Sequence, residues 1–392
     1  MAEGRRRVEG APEYWAAALE GLRASVEEVV TGAYRAWRRA VEGLRAGLDR
    51  VLAGGRDLSR LLLAGSLRGA YEAALRGAVG VDSSLTRPIR LGFRFVSLAS
   101  AAAVELGPGV GGGGRGAYMR VRPVVLPDEA PPEHARLELT LEMFTLEAEA
   151  LHAAASRAPP TLFLDGPIVD PPAALAGVRR AGLEGKYERY VERRVDAVSA
   201  ALRAGSLVVG YVKRLRGRLF AEWASQQLGG PDWAAGVNDA FLGAALAEAL
   251  RGPLTREACR GGGLVVATRP VEVDERRASD YSLYRQRGLR VYTSLVVPGF
   301  CSGNTRPARL EVPVPPGADP EGEVLRAAAA VEAWLVEGAW QPAPVLAAHR
   351  ACTIRRRESL RLLREAASLY ALEMAGLLGG GEAVQGMLGA LD

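Results

Sequence analysis

Cysteine is scarce in this sequence, with only Cys259, Cys301 and Cys352 among 392 residues. No two of them form a CxxC pair, and this spacing excludes the usual thiolate zinc site. An odd number of cysteines, without the dense pattern of a disulfide framework, is typical of proteins in a reducing, intracellular compartment. We therefore expect the chain to fold without a disulfide framework.

Long apolar runs are also absent. No stretch of about 18 residues is free of both charges and helix breakers, so no membrane span is expected. The N-terminal MAEGRRR is followed by a charged amphipathic pattern and not by the apolar core of a signal peptide. Both absences predict a soluble, cytoplasmic protein without a membrane partner.

Lysine is nearly missing, since Lys186 and Lys213 are the only lysines among 50 basic residues. Against 45 acidic residues the net charge is only +5, which is too small to indicate a partner. Arginine presents a fork of donors that binds phosphate well, so the composition permits a nucleic-acid surface without requiring one. The hydrophobic fraction of 48% is large enough for a sizeable core and excludes a disordered chain.

The N-terminal part of the chain has a helical pattern. Between Pro12 and Gly54 apolar residues recur at steps of three and four, which predicts a long helix with a coiled-coil-like seam. Gly54 and Gly55 end this helix, and a second helix is expected from Leu58 to Arg76. We interpret residues 1–77 as a helical extension. It either packs as a hairpin on its own domain or serves as an arm for dimerisation or partner docking.

From residue 78 to residue 392 short apolar strands mix with helices without a break in composition, which predicts one α/β domain. A glycine-rich stretch, residues 107–116, lies between two of the predicted strands. It contains the spacing GxGxxG, but no helix follows, and a phosphate-binding loop needs the amide groups of a helix N-terminus. We expect a mobile hairpin loop there.

Three acidic residues occupy positions that are costly without a function. Asp82 and Asp165 each end a predicted buried strand, where a carboxylate needs a partner or a metal. Glu147 lies inside the apolar arc of a helix predicted from Leu137 to Ala155, whereas Glu142 lies outside it. Ligands that are all oxygen favour Mg²⁺ or Mn²⁺ over zinc. The pattern therefore predicts a metal site for phosphodiester cleavage.

Histidine is rare as well, and one of the three is a candidate for the site. His134 and His152 lie in polar segments and are interpreted as surface residues. His349 lies late in the chain on a helix predicted from Pro344 to Leu378, where its imidazole can bind Mn²⁺ or transfer a proton.

Six short motifs occur in an order that resembles the NurA nucleases. They are Val81-Asp82-Ser83-Ser84, a glutamate on an intervening helix, Leu164-Asp165-Gly166-Pro167, Gly210-Tyr211-Val212-Lys213, Arg309-Leu310-Glu311-Val312-Pro313, and the late His349. The resemblance covers residues 78 to 360, and its specificity lies in the order and spacing of the motifs.

The resemblance implies an RNase H-like mixed sheet flanked by helices, a homodimer and dependence on Mn²⁺ (or Mg²⁺). It also implies 5′→3′ exonuclease and single-strand endonuclease activity in DNA-end resection with a HerA-type hexameric ATPase. By motif, Asp82, Glu147 and Asp165 match the family's metal-binding acids, and His349 matches its C-terminal histidine.

The remaining motif residues have less specific roles. Tyr211 and Lys213 match a strand-end motif near the family's active site, and Lys213 or nearby arginines would hold the scissile phosphate. Two alternatives stay open. The chain is either another RNase H-like nuclease or resolvase, or a non-catalytic adaptor of DNA and the ATPase.

Contacts to DNA and to the ATPase are expected outside the acidic cluster. For DNA phosphates we expect two arginine clusters: Arg214, Arg216 and Arg218, and Arg285, Arg287 and Arg290. For the ATPase we expect either the helical extension or the apolar C-terminal segment from Glu373 to Leu391.

Overall fold

The structure of the protein is a computed structural model. It describes residues 62–66, 76–91, 94–107, 115–127, 131–228, 237–250, 264–301, 306–336 and 339–355, with separate positions between 20 and 46, at 69, 72 and 259, and between 357 and 365. The glycine-rich residues 108–114 and the C-terminal segment 373–391 lie outside the described residues, so the expectations for them stay predictions.

Eleven strands form one mixed sheet in the described part of the chain. They are β1 (Leu62–Ser66), β2 (Ala78–Leu85), β3 (Ile89–Leu91), β4 (Arg94–Leu106), β5 (Arg115–Pro127), β6 (Thr161–Asp165), β7 (Leu207–Val212), β8 (Leu264–Thr268), β9 (Val271–Glu272), β10 (Arg290–Val296) and β11 (Ala308–Val314). The order is β1-β8-β10-β11-β7-β6-β2-β4-β3, with β5 on β4 and β9 on β10.

The helices are less regular in length. The described positions between 20 and 46 are helical, as predicted. Beyond residue 130 the helices are α1 (Pro132–Ala155), α2 (Pro172–Arg180), α3 (Glu184–Arg203), α4 (Leu219–Leu228), α5 (Asp239–Leu250), α6 (Tyr281–Gln286), α7 (Pro320–Ala333) and α8 (Ala343–Cys352).

The centre of the sheet has an RNase H-like arrangement. Strands β5, β4 and β2 are antiparallel neighbours, and β6 and β7 continue the sheet parallel to β2. Helix α1 connects β5 to β6, and α2 and α3 connect β6 to β7. The predicted α/β class, an RNase H-like mixed sheet flanked by helices, is confirmed.

Helices cover both faces of the central strands, because these strands are apolar at successive positions. On one face Val79, Leu162 and Val208 pack with buried residues of α1 and α3. On the other face Ala78 and Phe163 pack with Val324 of α7 and Val345 of α8 among others. Strands that are buried on both faces explain why their terminal carboxylates are poorly solvated.

The chain divides into two compact units. The described residues of 1–58 and 216–251, with α4 and α5, form one unit, and those of 59–215 and 252–392 form the other. The predicted division into an extension, 1–77, and a nuclease domain, 78–392, stays a prediction. In the described part of the chain, no helix combines the length and apolar character that a membrane crossing requires.

Two expected helices are wrong in part. The segment predicted as a helix from Leu58 to Arg76 contains strand β1, which pairs antiparallel with β8, and such a distant partner leaves no local signal. The helix predicted from Pro344 to Leu378 is interrupted after Cys352, because Thr353 is extended, and the described positions between 357 and 365 are helical again. The hydroxyl of Ser100 on β4 donates to the Cys352 carbonyl oxygen at 2.5 Å, which satisfies the end of the helix without another turn.

The described part of the chain contains one disulfide, which the scarcity of cysteine did not predict. Cys259 and Cys301 form a disulfide with their Cα atoms 5.4 Å apart, and Cys352 is free and buried. The two partners are 42 residues apart, so no short spacing motif marks them. Disulfides are rare in the cytosol outside hyperthermophiles, and the cytoplasmic location stays a prediction.

Gly80 on β2 sets the distance between the sheet and α8. A Cβ atom at this position would lie 2.0 Å from the carbonyl oxygen of Pro344 and 2.6 Å from the amide nitrogen of Val345. Both are backbone atoms, so no side-chain movement relieves the overlap. The start of α8 therefore packs directly on the β2 backbone, and only glycine permits it.

Gly80→Ala should lower the free energy of unfolding by about 2 kcal/mol or more, since overpacking of a close-packed site costs about 1–3 kcal/mol. Urea unfolding measures this effect. Gly185→Ala is the matched control, because Gly185 is exposed on α3 and the nearest atom to its added Cβ is Arg189 Nη1 at 3.6 Å. That change should be neutral or slightly stabilising. Equal stability of the two variants would contradict the close approach.

Candidate metal centre

Asp82 and Asp165 lie side by side at one edge of the sheet. Parallel strands β2 and β6 align Val81 with Leu164, which places the next residue of each strand at the same level. Asp82 is only 5% exposed, and Asp165 is partly buried. Burial raises the pKa of Asp82, and the neighbouring charge of Asp165 raises it further. The pair is therefore costly in the absence of a compensating positive charge.

His349 completes a three-residue cluster with these aspartates. Its Nδ1 atom shares a hydrogen bond of 2.7 Å with Asp82 Oδ2, which opposes the rise in the pKa of Asp82. One donor atom from each of Asp82, Asp165 and His349 lies within 4.8 Å of the other two. The imidazole is half exposed, so the cluster is open to solvent on this side.

Packing of α8 against the sheet explains the position of His349. Ala348 and Cys352 on α8 are buried against Ala102 and Val104 of β4. The close approach at Gly80 brings the first turn of the same helix onto β2. The thiol of Cys352 also lies 3.6 Å from Asp82 Oδ2, and burial raises the pKa of this thiol, so it stays neutral.

Glu147 lies behind the cluster and contributes no atom to it. It is buried on the side of α1 that faces the sheet, which agrees with the helical projection of the sequence. Its Oε2 accepts a hydrogen bond of 2.5 Å from the Ser83 hydroxyl, and the Ser83 amide donates to Asp82 Oδ1 at 2.8 Å. Burial raises the pKa of Glu147 to about 8. Its role as a metal ligand stays a prediction.

Three other glutamates of α1, Glu138, Glu142 and Glu149, form ion pairs away from the cluster. Glu142 and Glu149 both pair with Arg122, at 3.3 and 3.2 Å. Glu138 pairs with Lys186. These carboxylates are compensated by cations, whereas Glu147 is held by a neutral hydroxyl.

Lys213 and Tyr211 lie at the end of β7, beside Asp165. Lys213 Nζ donates to Asp165 Oδ2 at 2.6 Å and to Gln341 Oε1 at 2.5 Å. The Tyr211 side chain is buried, and its hydroxyl donates to the Trp340 carbonyl oxygen at 2.6 Å. Lys213 therefore joins the cluster, while the Tyr211 hydroxyl is used to hold the chain before α8. A catalytic role for either residue stays a prediction.

A buried clamp, which the sequence analysis did not assign, fixes the loop after Asp165. Glu311 Oε2 accepts hydrogen bonds from the amides of Ile168 and Val169, at 2.7 and 3.1 Å. The Tyr284 hydroxyl donates to the Ile168 carbonyl oxygen at 2.7 Å. Glu311 belongs to one of the six motifs, so the sequence marked this residue. Nothing in the sequence indicated that it binds the amides of Ile168 and Val169.

A buried ion network holds the end of the same loop. Arg194 of α3 donates to Asp170 at 3.0 Å and to Asp280 at 2.5 Å, and the Asp170 amide donates to Asp280 Oδ1 at 2.9 Å. Arg194 is 2% exposed. Nothing in its local sequence distinguishes it from the exposed arginines of the same helix, so sequence reasoning missed it.

The family model of the NurA domain matches residues 77–358, which is most of the chain. The chain belongs to the NurA family. This nuclease of the NurA family has no match among the curated proteins.

Solved structures similar to this NurA-family chain include two of NurA. One is a crystal structure of NurA with 9% identity and a TM-score of 0.45, in which the match covers 79% of this chain and 90% of that chain. Another is NurA bound to dAMP and manganese, with 13% identity, a TM-score of 0.35 and coverage of 74% and 87%.

A further similar structure is Ciona intestinalis endonuclease V in complex with a 24mer DNA that contains an inosine followed by a ribo-adenosine. It has 15% identity, a TM-score of 0.30 and coverage of 86% of this chain and 99% of that chain.

Glu147→Gln should make the metal-free protein more stable at pH 8 than the wild type. The folded pKa of about 8 lies above the ordinary value of 4.5, so the folded state holds a proton that the unfolded chain releases. The free energy of unfolding of the wild type therefore falls as the pH rises from about 4.5 to about 8. The loss is on the order of a few kcal/mol, because each unit of difference between the folded and unfolded pKa contributes about 1.4 kcal/mol.

Glutamine does not ionise and still accepts from Ser83, so the variant should lack this loss. Urea unfolding in EDTA at pH 5 and pH 8 measures the difference. Glu142→Gln is the control, and its effect should change little with pH in this range. A Glu147→Gln effect that is the same at both values would contradict the raised pKa.

Proposed function

We propose that this protein is a metal-dependent DNA nuclease that uses the cluster of Asp82, Asp165 and His349. The observation that carries the proposal is the convergence of their three donor atoms within 4.8 Å in a chain of the NurA family. Burial of the Asp82 carboxylate beside a second carboxylate is unfavourable unless a cation compensates it.

The donor set fits Mn²⁺, and Mg²⁺ to a lesser degree. Carboxylate oxygens suit both ions, and an imidazole favours the transition metal. Asp82 and Asp165 would hold the cation from the strand ends, and His349 would hold it from α8. Glu147 would support Asp82 through Ser83 or join as a fourth ligand. When bound, a divalent cation supplies activation of water and charge stabilisation at the scissile phosphate.

The chain's own residues do the positioning. The buried clamp on the loop after Asp165 keeps this carboxylate at the edge of the sheet. Lys213 neutralises part of the aspartate charge in the metal-free protein and can turn its ammonium group to a substrate phosphate. The open side of the cluster, at the half-exposed His349, is where the DNA strand would enter.

The finer activity that we propose is 5′→3′ exonuclease and single-strand endonuclease cleavage in DNA-end resection. In this proposal the protein acts as a homodimer with a HerA-type hexameric ATPase. The N-terminal helical positions support an arm for dimerisation or docking, because Val26, Val29 and Val30 are 54%, 70% and 61% exposed. Such a run of exposed valines is typical of a contact surface.

Asp82→Asn and Asp165→Asn should each reduce the rate of cleavage by more than about 100-fold. Mutation of a residue that only hydrogen-bonds to a metal ligand already costs about 10- to 100-fold in metal affinity or activity, and loss of a ligand should cost more. The measurement is the rate of cleavage of labelled single-stranded and duplex DNA during a titration with Mn²⁺. Glu142→Gln is the matched control, since its carboxylate lies on the outer side of α1 and pairs with Arg122. Its rate should stay within about twofold of the wild type.

The same titration separates the alternatives. A wild-type protein that cleaves no DNA at any Mn²⁺ concentration would favour the adaptor. Faster cleavage of an RNA–DNA hybrid or a four-way junction would favour another RNase H-like enzyme. Either aspartate variant with a near wild-type rate would contradict the metal site.

DNA binding should weaken with salt, because arginine contacts to phosphate release counterions. In the arginine cluster that begins at Arg285, Arg287 pairs with Asp196 at 2.7 Å and Arg290 lies 3.8 Å from Glu272. Part of the positive charge of this cluster is therefore compensated. Arg214 is exposed directly after Lys213 and is the better candidate.

Arg214→Gln should reduce the slope of log affinity against log salt by about 0.7 for single-stranded DNA, the value for one phosphate contact. Fluorescence anisotropy between about 50 and 200 mM salt measures the slope. Arg326→Gln is the control, because Arg326 is exposed on α7 and pairs with Glu323. An unchanged slope for Arg214→Gln would remove this residue from the phosphate contacts.

A further inference from the structure

Trp340 is a large aromatic side chain that is 60% exposed beside the metal centre. It lies in the connection between α7 and α8. Two contacts hold the ends of this connection together: an antiparallel β-bridge between Leu335 and Pro342, and a hydrogen bond of 2.8 Å from the Ala343 amide to the Trp334 carbonyl oxygen. The backbone of Trp340 is therefore fixed although its indole ring is exposed. An indole that is exposed on a fixed backbone presents a flat apolar face to a binding partner at little cost in conformational entropy.

Two hydrogen bonds tie this connection to the catalytic edge of the sheet. The Trp340 carbonyl oxygen accepts from the Tyr211 hydroxyl on β7. The next residue, Gln341, accepts from Lys213 Nζ, which also donates to Asp165. Trp340 is thus the neighbour of Gln341, whose side chain shares Lys213 with Asp165, so the connection that carries the ring is joined to the metal-binding edge.

A positive charge lies over the indole. The guanidinium carbon of Arg306 is 4.4 Å from the centre of the Trp340 ring, which is a cation–π contact. Arg306 is exposed, so its charge is available to an anion in solvent. An exposed ring next to a guanidinium combines the two features that bind unpaired nucleotides, a stacking surface for the base and a cation for the backbone.

We propose that Trp340 and Arg306 form a stacking platform that binds one unpaired base of the DNA strand whose phosphate lies at the metal centre. This proposal rests on the proposed nuclease function. A base in a duplex is already stacked on both faces, so the platform selects single-stranded DNA or the frayed end of a duplex. Stacking on an indole tolerates every base, so the platform gives strand selectivity without sequence selectivity.

Binding is measured first, in EDTA, so that the result does not depend on cleavage. An oligothymidylate of about 12 nucleotides should bind Trp340→Ala about tenfold more weakly than the wild type, in line with the loss of one stacked base. Trp340→Phe should regain most of the affinity, which shows that an aromatic ring is what matters. Val336→Ala is the control, because Val336 is an exposed apolar residue of the same connection. Its affinity should not change.

A single abasic site, moved along the oligonucleotide one position at a time, tests for the stacked base itself. The wild type should lose about tenfold in affinity at one position, and Trp340→Ala should lose nothing further there. Equal losses in both proteins at every position, or full affinity of Trp340→Ala, would overturn the platform.

The two proposals can fail separately. If the wild type cleaves DNA with Mn²⁺, but the effect of an abasic site does not depend on Trp340, the proposed platform is wrong and the proposed nuclease function stands. If the effect of an abasic site depends on Trp340 in EDTA but no metal supports cleavage, the nuclease proposal is wrong. The platform then remains as a binding site for single-stranded DNA.

Discussion

Repulsion between two carboxylates at the ends of adjacent parallel strands is the constraint on which the rest of this structure depends. The register of β2 and β6 places Asp82 and Asp165 side by side with little access to water. Each is compensated from a different direction, Asp82 by His349 on α8 and Asp165 by Lys213 after β7. In the proposed function, a cation held by Asp82, Asp165 and His349 would replace Lys213 as the partner of Asp165, and the ammonium group of Lys213 would become available to a substrate phosphate.

One short stretch of chain delivers much of this compensation. Between α7 and α8 the chain passes Trp340 and Gln341, begins α8 on the backbone of β2, and presents His349 two turns later. Its position depends on the absence of a side chain at Gly80 and on the hydroxyl of Tyr211. Small groups that are not proposed metal ligands themselves therefore decide whether the histidine reaches the aspartates.

Local sequence features predicted the parts of the site that arise from local structure. Asp82 and Asp165 were recognisable because each ends an apolar strand, and Glu147 was separated from Glu142 because helical periodicity fixes which side of α1 each occupies. Features that depend on distant partners were not predictable from the same evidence. Strand β1 needs β8, the disulfide joins residues 42 apart, and Arg194 is marked only by carboxylates from other elements.

The hydrogen bond between Asp82 and His349 joins residues that are 267 positions apart. During synthesis on the ribosome, β2 and β6 can pair long before α8 has left the exit tunnel, because domains of this kind assemble as the chain emerges. A nascent chain therefore carries both aspartates without their histidine until α8 has been made. The order of translation therefore prevents the proposed metal site from being completed before His349 has been synthesised.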